Sequence, residues 1–233
     1  MVLKDILIKN SIDEKKCDEF YRYYELLIQW NEKMNLTAIT DEREVAQKHF
    51  LDSLSIEKLG VIKDGAKVID VGTGAGFPGL PLKINNPEIK LTLLDSLNKH
   101  INFLNEVISE LKIPNVITVH ARAEELGINK KYRECYDVCV SRAVANLATL
   151  SELCLPFVKV GGFFVSLKGP KASEELENAK NAIKLCGGEV VKIENYDVSD
   201  TDLNHNAIII KKVSQTPTKY PRKAPKPTKE PLF

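Results

Sequence analysis

The chain has 233 residues, 43 % of them hydrophobic, with 33 Lys and Arg against 32 Asp and Glu, for a formal net charge of +1. That hydrophobic fraction excludes a chain disordered throughout, because it buries enough apolar surface to offset the entropy of folding. Twelve Gly and eleven Pro exclude a collagen-like or low-complexity sequence, and the balanced charge argues against a surface uniformly coated in Lys and Arg for nucleic acid.

Met1 to Lys16 carry Lys4, Asp5, Lys9, Asp13, Glu14 and Lys15, with no apolar block of signal-peptide length. No uncharged stretch reaches the roughly 18 residues of a membrane helix. The five cysteines, Cys17, Cys135, Cys139, Cys154 and Cys186, are odd in number and lack a CxxC pair. We therefore expect reduced thiols in a cytoplasmic protein. Cys135 and Cys139 with His120 lack a second pair of ligands, so no metal is expected.

From Asp13 to Met34, Cys17, Phe20, Tyr24, Leu27 and Met34 recur at helical spacing, with Tyr23 and Trp30 beside the stripe. A second helix is predicted from an N-cap at Thr40 or Asp41 to about Leu59, where Gly60 stops it. Residues 1–60 thus read as a helical leader packed on the rest of the chain. Strands are then predicted at 67–71, 91–95, 116–120, 136–140 and 162–167, with helices beginning near Pro78 and spanning 97–112, 145–155 and 171–186. Short Val, Ile and Leu runs alternating with helices specify a parallel sheet covered on both faces. The last two strands, 189–197 and 207–212, have no helix between them and should form a hairpin. Ser214 to Phe233 holds five prolines and five basic residues against Glu230, a net +4 that leaves −3 for residues 1–213. It reads as an extended basic arm.

The chemistry is concentrated in Asp70-Val-Gly72-Thr-Gly74-Ala-Gly76-Phe-Pro-Gly79, directly after the first strand. Glycines there let backbone approach a ligand at the carboxyl edge of the sheet. A phosphate-cradling loop would need Lys-Ser/Thr after the last Gly, and Leu80-Pro81 stand there instead. A dinucleotide fits Gly74-Ala-Gly76-Phe-Pro-Gly79 and Asp95, but its pyrophosphate would meet the Asp70 carboxylate. S-adenosylmethionine suits the same residues better: it has no phosphate, its ammonium is welcome near Asp70, and its ribose hydroxyls need an acceptor such as Asp95. Glu124 after the third strand is either an acceptor for an adenine amino group or an ordinary first-turn helix acid. Arg142 after the fourth strand either pairs with a carboxylate or nucleic-acid group or is a surface Arg. His49 and Asp52, three residues apart, read either as a pair near the substrate or as a structural pair on the leader helix.

Two absences narrow the reaction. An Asn/Asp-Pro-Pro-aromatic motif, common among exocyclic-amine methylases, is replaced by Arg142-Ala-Val-Ala, and no Pro-Cys nucleophile for cytosine C5 exists. The remaining chemistry is attack by an atom already nucleophilic, which needs positioning more than a base.

Trp30-Asn-Glu-Lys-Met34-Asn-Leu-Thr37, His49-Phe-Leu-Asp-Ser-Leu54, the glycine motif, Asp95-Ser96, Arg122-Ala-Glu124, Ser141-Arg-Ala-Val-Ala145 and Tyr220-Pro-Arg-Lys223 together resemble the bacterial ribosomal RNA small-subunit methyltransferase G family, formerly glucose-inhibited division protein B. The resemblance covers nearly the whole chain. It implies a class I, Rossmann-like α/β methyltransferase with a doubly wound, mostly parallel seven-stranded sheet and terminal antiparallel hairpin. The expected units are the helical extension 1–60, a cofactor-binding domain 61–213 and the basic arm 214–233. It further implies methyl transfer from S-adenosylmethionine to guanine N7 in 16S ribosomal RNA or the assembling 30S particle, with no membrane and no obligate protein partner. Carried over by motif, the cofactor residues are Gly72, Gly74, Phe77, Asp95, Ala123, Glu124 and Arg142; no general base is expected, since N7 carries no proton. Lys219, Arg222, Lys223 and Lys226 are expected to grip RNA. The alternatives are a methyltransferase of another substrate and a cofactor-binding assembly module without catalysis.

Overall fold

Strand side chains alternate between two apolar layers, and this period of two builds the molecule. The structure, a computed structural model, describes residues 2–142, 144–198, 201 and 204–233. Strands β1 (Lys67–Val71), β2 (Lys90–Asp95), β3 (Val116–His120), β4 (Tyr136–Arg142) and β5 (Val158–Lys168) run parallel, and β6 (Gly188–Asp197) pairs with β7 (Asn204–Lys212) as an antiparallel hairpin. The sheet order is β3-β2-β1-β4-β5-β7-β6, so the chain reverses direction across the sheet between β1 and β4. That switch point is where open α/β sheets bind ligands.

Val68, Leu91, Leu93, Val138, Val140, Val165, Leu167 and Ala207 face one layer. It is covered by α1 (Val2–Lys9), α2 (Glu14–Met34), α3 (Glu42–Val45), α4 (Asp52–Leu54), α5 (Gly79–Asn85) and α6 (Asn98–Glu110). Ile69, Val71, Leu94, Cys139, Phe164, Ile208 and Ile210 face the other, against α7 (Ala123–Leu126), α8 (Leu147–Cys154) and α9 (Ala172–Leu185). The leader packs on the sheet as expected, and α1 adds a short helix there through Leu3, Ile6 and Leu7.

Between the Asp41 cap and Gly60 the backbone departs from one regular helix. After α3 comes a π-helical turn, Ala46–Leu51, then α4, then a 3-10 turn, Ser55–Leu59. The Asp52 N–H donates to the Gln47 and His49 carbonyls and passes over that of Lys48. Such π turns occur often at functional sites.

The arm is not the free extended tail that its prolines suggest. Arg133 donates to the carbonyls of Gly127, Thr216 and Tyr220, the Thr149 hydroxyl donates to that of Pro227, and Tyr220 is buried in the second layer. One helical turn, α10 (Lys226–Lys229), forms with Pro227 near its start, where the missing N–H costs nothing. Arg222 turns inward: its backbone N–H, Nε and Nη2 all donate to Glu152, which is 0 % exposed on α8. Arg222, expected to contact RNA, is thus held by a buried carboxylate. Lys219, Lys223 and Lys226 remain exposed.

Removing one partner of a buried ion pair leaves an uncompensated charge and costs about 3–5 kcal/mol, whereas apolar replacement of both is near neutral. Arg222→Met should therefore lower the unfolding free energy by about 3 kcal/mol in urea titration, and adding Glu152→Leu should restore most of it.

Candidate active site

The glycine turn is held from below and from two sides. Asp70 accepts from the Thr73 hydroxyl (2.7 Å) and the Gly79 N–H (2.8 Å) through Oδ2, while Oδ1 is buried without a partner among the described residues. Burial outweighs these bonds and pushes the carboxyl up to about 7. Asp70 is thus a strut beneath the turn, with one carboxylate oxygen left without a partner among the described residues. A Cβ at Gly79 would lie 2.8 Å from Asp70 Oδ2, and one at Gly72, where φ is +72°, would lie 2.5 Å from Val144 Cγ2. The Tyr23 hydroxyl of α2 donates to the Ala75 carbonyl and pins the far side of the turn.

Asp95, at the end of β2, accepts from the Gly74 N–H and the Leu97 N–H at 2.8 Å each, with His100 Nδ1 3.1 Å away. Burial alone would raise its carboxyl, but His100 and the two N–H groups hold it below the ordinary value, so it stays ionised. Each carboxylate oxygen has two lone pairs, and Oδ1 carries only the Leu97 bond among the described residues. Glu124, in the first turn of α7 beside Ala123, is buried and has no hydrogen-bond or ionic partner among the described residues. Gly74 faces open space within 4 Å of its missing Cβ. A partnerless buried acceptor, a second acceptor with spare capacity and an open glycine backbone fit a ligand carrying an amine and hydroxyls. Asp95, Glu124 and Gly74 therefore suit S-adenosylmethionine.

Arg142 occupies the switch point. Val138, Val140 and Arg142 share the face toward the leader, where Nη1 donates to the Lys48 carbonyl (2.9 Å) and to Asp52 Oδ2 (2.8 Å). Nη2 lies 3.2 Å from His49 Nδ1. The same Nδ1 lies 3.2 Å from the Lys48 carbonyl, and Nε2 lies 3.0 Å from the Thr37 hydroxyl. Burial and the Arg142 charge lower His49 to about 4, leaving it neutral near pH 7. Of five guanidinium N–H groups, these contacts leave one on Nη2 and the one on Nε uncommitted among the described residues. The guanidinium lies 5.2 Å above the Phe77 ring, which also stacks on His49 at 4.4 Å. Phe77 is enclosed between the leader and Arg142, and the cation over its ring is that of Arg142.

Sequence reasoning missed the hub of this arrangement. Asp52, which we expected to pair with His49, instead accepts from Arg142, from the Tyr196 hydroxyl of β6 (2.8 Å) and from His205 Nδ1 of β7 (2.7 Å). Burial alone would raise Asp52, but the His205 bond and Arg142 hold it below the ordinary range. The one available signal was alternation: His205 and Ala207 fall on the leader's face of β7. Arg142, Asp52, His49, Lys48, Lys168 and His205 line a cavity of about 690 Å³ over the carboxyl ends of β4 and β5 and the amino end of the antiparallel β7. Lys168 is committed there to the Ala145 carbonyl (2.6 Å) and Glu175 (2.7 Å). Among the described residues no group of His, Cys, Asp and Glu could hold a metal ion, and no helix is long and apolar enough to cross a membrane.

A family model described as rRNA small subunit methyltransferase G matches residues 16–204. The chain is 54 % identical over 238 residues to the ribosomal RNA small subunit methyltransferase G of Alkaliphilus oremlandii, covering 100 % of both chains. It is 53 % identical over 223 residues to that of Acetivibrio thermocellus, covering 95 % of this chain and 91 % of the relative. Among solved structures, TYW2 of M. jannaschii in complex with AdoMet is similar over 70 % of this chain and 77 % of its own, with TM-score 0.54 and 16 % identity. TrmN of Thermus thermophilus is similar over 69 % and 48 %, with TM-score 0.55 and 15 % identity. These two likenesses show the fold alone.

The raised Asp70 carboxyl makes a signed prediction. A folded value of about 7 against about 3.9 unfolded means that the folded state binds more protons between them, so this group's contribution to stability falls as pH rises through that window. Asp70→Asn keeps an acceptor for Thr73 and Gly79 and removes the titration. Its unfolding free energy should decline less than the wild type's from pH 5 to pH 7.5; identical slopes would refute the assignment.

Proposed function

The chain belongs to the rRNA small subunit methyltransferase G family, an S-adenosylmethionine-dependent family, and from that premise we propose that its site methylates N7 of a guanine in small-subunit ribosomal RNA. The observation that carries this reading is the division of one sheet edge. Asp95, Glu124 and the glycine turn occupy the β1–β3 half, the open cavity occupies the β4–β7 half, and Arg142 stands between them.

S-adenosylmethionine supplies an electrophilic methyl group on a sulfonium. Asp95 accepts from ribose hydroxyls, Glu124 from the adenine amino group, and Gly74 lets the main chain approach. The uncommitted N–H groups of Arg142 are placed for a carboxylate on the cofactor side or for O6 of a purine on the cavity side. Guanine N7 has an in-plane lone pair and no proton, so in-line attack needs no base before it. The residues act by holding an unstacked base in near-attack geometry, which is worth several kcal/mol of barrier. Exposed Lys219, Lys223 and Lys226 on the fastened arm offer phosphate contacts. The proposed organisation is a helical extension (1–60), a cofactor domain (61–213) and a basic arm (214–233), acting in the cytoplasm on RNA or an assembling 30S particle.

Incubation with methyl-labelled cofactor and undermodified small subunits should place label on one guanine, recovered as N7-methylguanine after nuclease digestion. Label at another atom sinks the reading, as does cofactor binding without transfer. Changing Lys219, Lys223 and Lys226 together to Gln should reduce the slope of log affinity against log salt by about 2, at roughly 0.7 per single-strand phosphate contact. An unchanged slope would place the RNA contact elsewhere.

A further inference from the structure

Among the described residues, His205 is a cavity-lining side chain whose outer atom the fold leaves open. Its Nδ1 lies 2.7 Å from Asp52 Oδ1, and that carboxylate also takes Arg142 and Tyr196, so it is ionised and can only accept. Nδ1 therefore carries the proton, and in the neutral ring Nε2 is an acceptor. Nε2 has no partner among the described residues, while the ring lines the cavity and is held edge-on by Tyr196 at 5.7 Å. A buried carboxylate fixing a histidine tautomer and presenting the opposite nitrogen to a cavity is the geometry of a proton acceptor.

The strand order says which edge of a base meets it. β7 lies two strands beyond β4, about 10 Å at roughly 4.8 Å per strand, and the cofactor residues lie on the other side of β4. A purine entering between them with N7 toward the β1/β4 switch point turns its opposite edge, N1 and the 2-position, toward β7. Guanine presents N1–H there, a donor for Nε2. Adenine presents a bare N1, which would set two acceptors against each other and leave both unpaired.

We propose that His205, oriented by Asp52, reads the N1–H of the target guanine and takes its proton as N7 is alkylated. This rests on the N7-guanine reading above. The N7 lone pair forms the bond to the methyl carbon, the carbon–sulfur pair leaves on sulfur, and the purine becomes cationic. That charge acidifies N1–H. The proton passes to Nε2, the N–H pair returns to the ring and neutralises it, and the resulting imidazolium is stabilised by Asp52 until solvent takes the proton. The residue thus selects guanine and relieves the charge that N7 attack creates.

The test uses full-length protein and small-subunit RNA fragments carrying either guanosine or N1-methylguanosine at the target, measured in single turnover. For wild type, N1-methylation should slow transfer tenfold or more. His205→Ala should be slow on guanosine by a similar factor and indifferent to N1-methylation, with cofactor Kd within twofold of wild type. His205→Gln, which keeps an acceptor, should recover part of the rate and guards against misfolding of the alanine variant. Unchanged single-turnover rates in both variants, or the same N1-methyl penalty in wild type and His205→Ala, overturn the proposal and leave the N7 reading intact. Failure of the wild type to form N7-methylguanine overturns both.

Discussion

One buried carboxylate holds the working parts of this protein together. Asp52 sits where the leader passes from a π turn into a last α turn, and it gathers a guanidinium from β4, an imidazole from β7 and a phenol from β6. Desolvating a carboxylate is costly, and only several charge-assisted bonds offset it. Burial and the Asp52 charge push the Tyr196 phenol up, so it remains a donor. The leader is therefore fastened to three strands through one group, and the position of Arg142 depends on that. With Lys48 and His49 completing its contacts, the guanidinium is set over Phe77, and Phe77 is in turn packed against Tyr23.

The same logic, a buried acid commanding the cations around it, sorts the rest of the molecule. Glu152 draws Arg222 inward and ties the arm to α8, so the arm's lysines stand on a fixed backbone and not on a tether. Glu134 and Thr216 similarly hold Lys212, which is fully buried. Glu124, unlike these acids, has no partner among the described residues. The near-zero net charge conceals this arrangement: acids edge the pocket, cations close the core, and the lysines of the arm stay exposed.

Elements with strong local signals were legible in the order of residues alone. The short Val, Ile and Leu runs located the seven strands, the absence of a helix between the last two located the hairpin, and Asp41 and Gly60 marked the ends of the second leader segment. The glycine spacing marked the turn at the carboxyl edge of the sheet, beside Asp95. The roles of Asp70, Phe77, Arg222 and His205 were not legible, because each depends on how the folded chain surrounds it, and most of the partners are far away in sequence. Asp52 is 90 residues from Arg142 and 153 from His205, and Glu152 is 70 from Arg222. Composition ranked Arg222 with the other basic residues of the arm, and only the buried carboxylate opposite distinguishes it.

The sequence by itself determined what depends on near neighbours: strand and helix periodicity, the backbone freedom of the turn, the caps and the net charge of the arm. Tertiary structure decided which charges face inward. Whether an acid is a strut, a hub or a free acceptor depends on its solvation and on the donors that other strands bring to it. Asp70, Asp52 and Glu124 are alike as carboxylates in the sequence. Burial with two donors makes the first a support, burial with three makes the second the hub, and the third has no donor among the described residues.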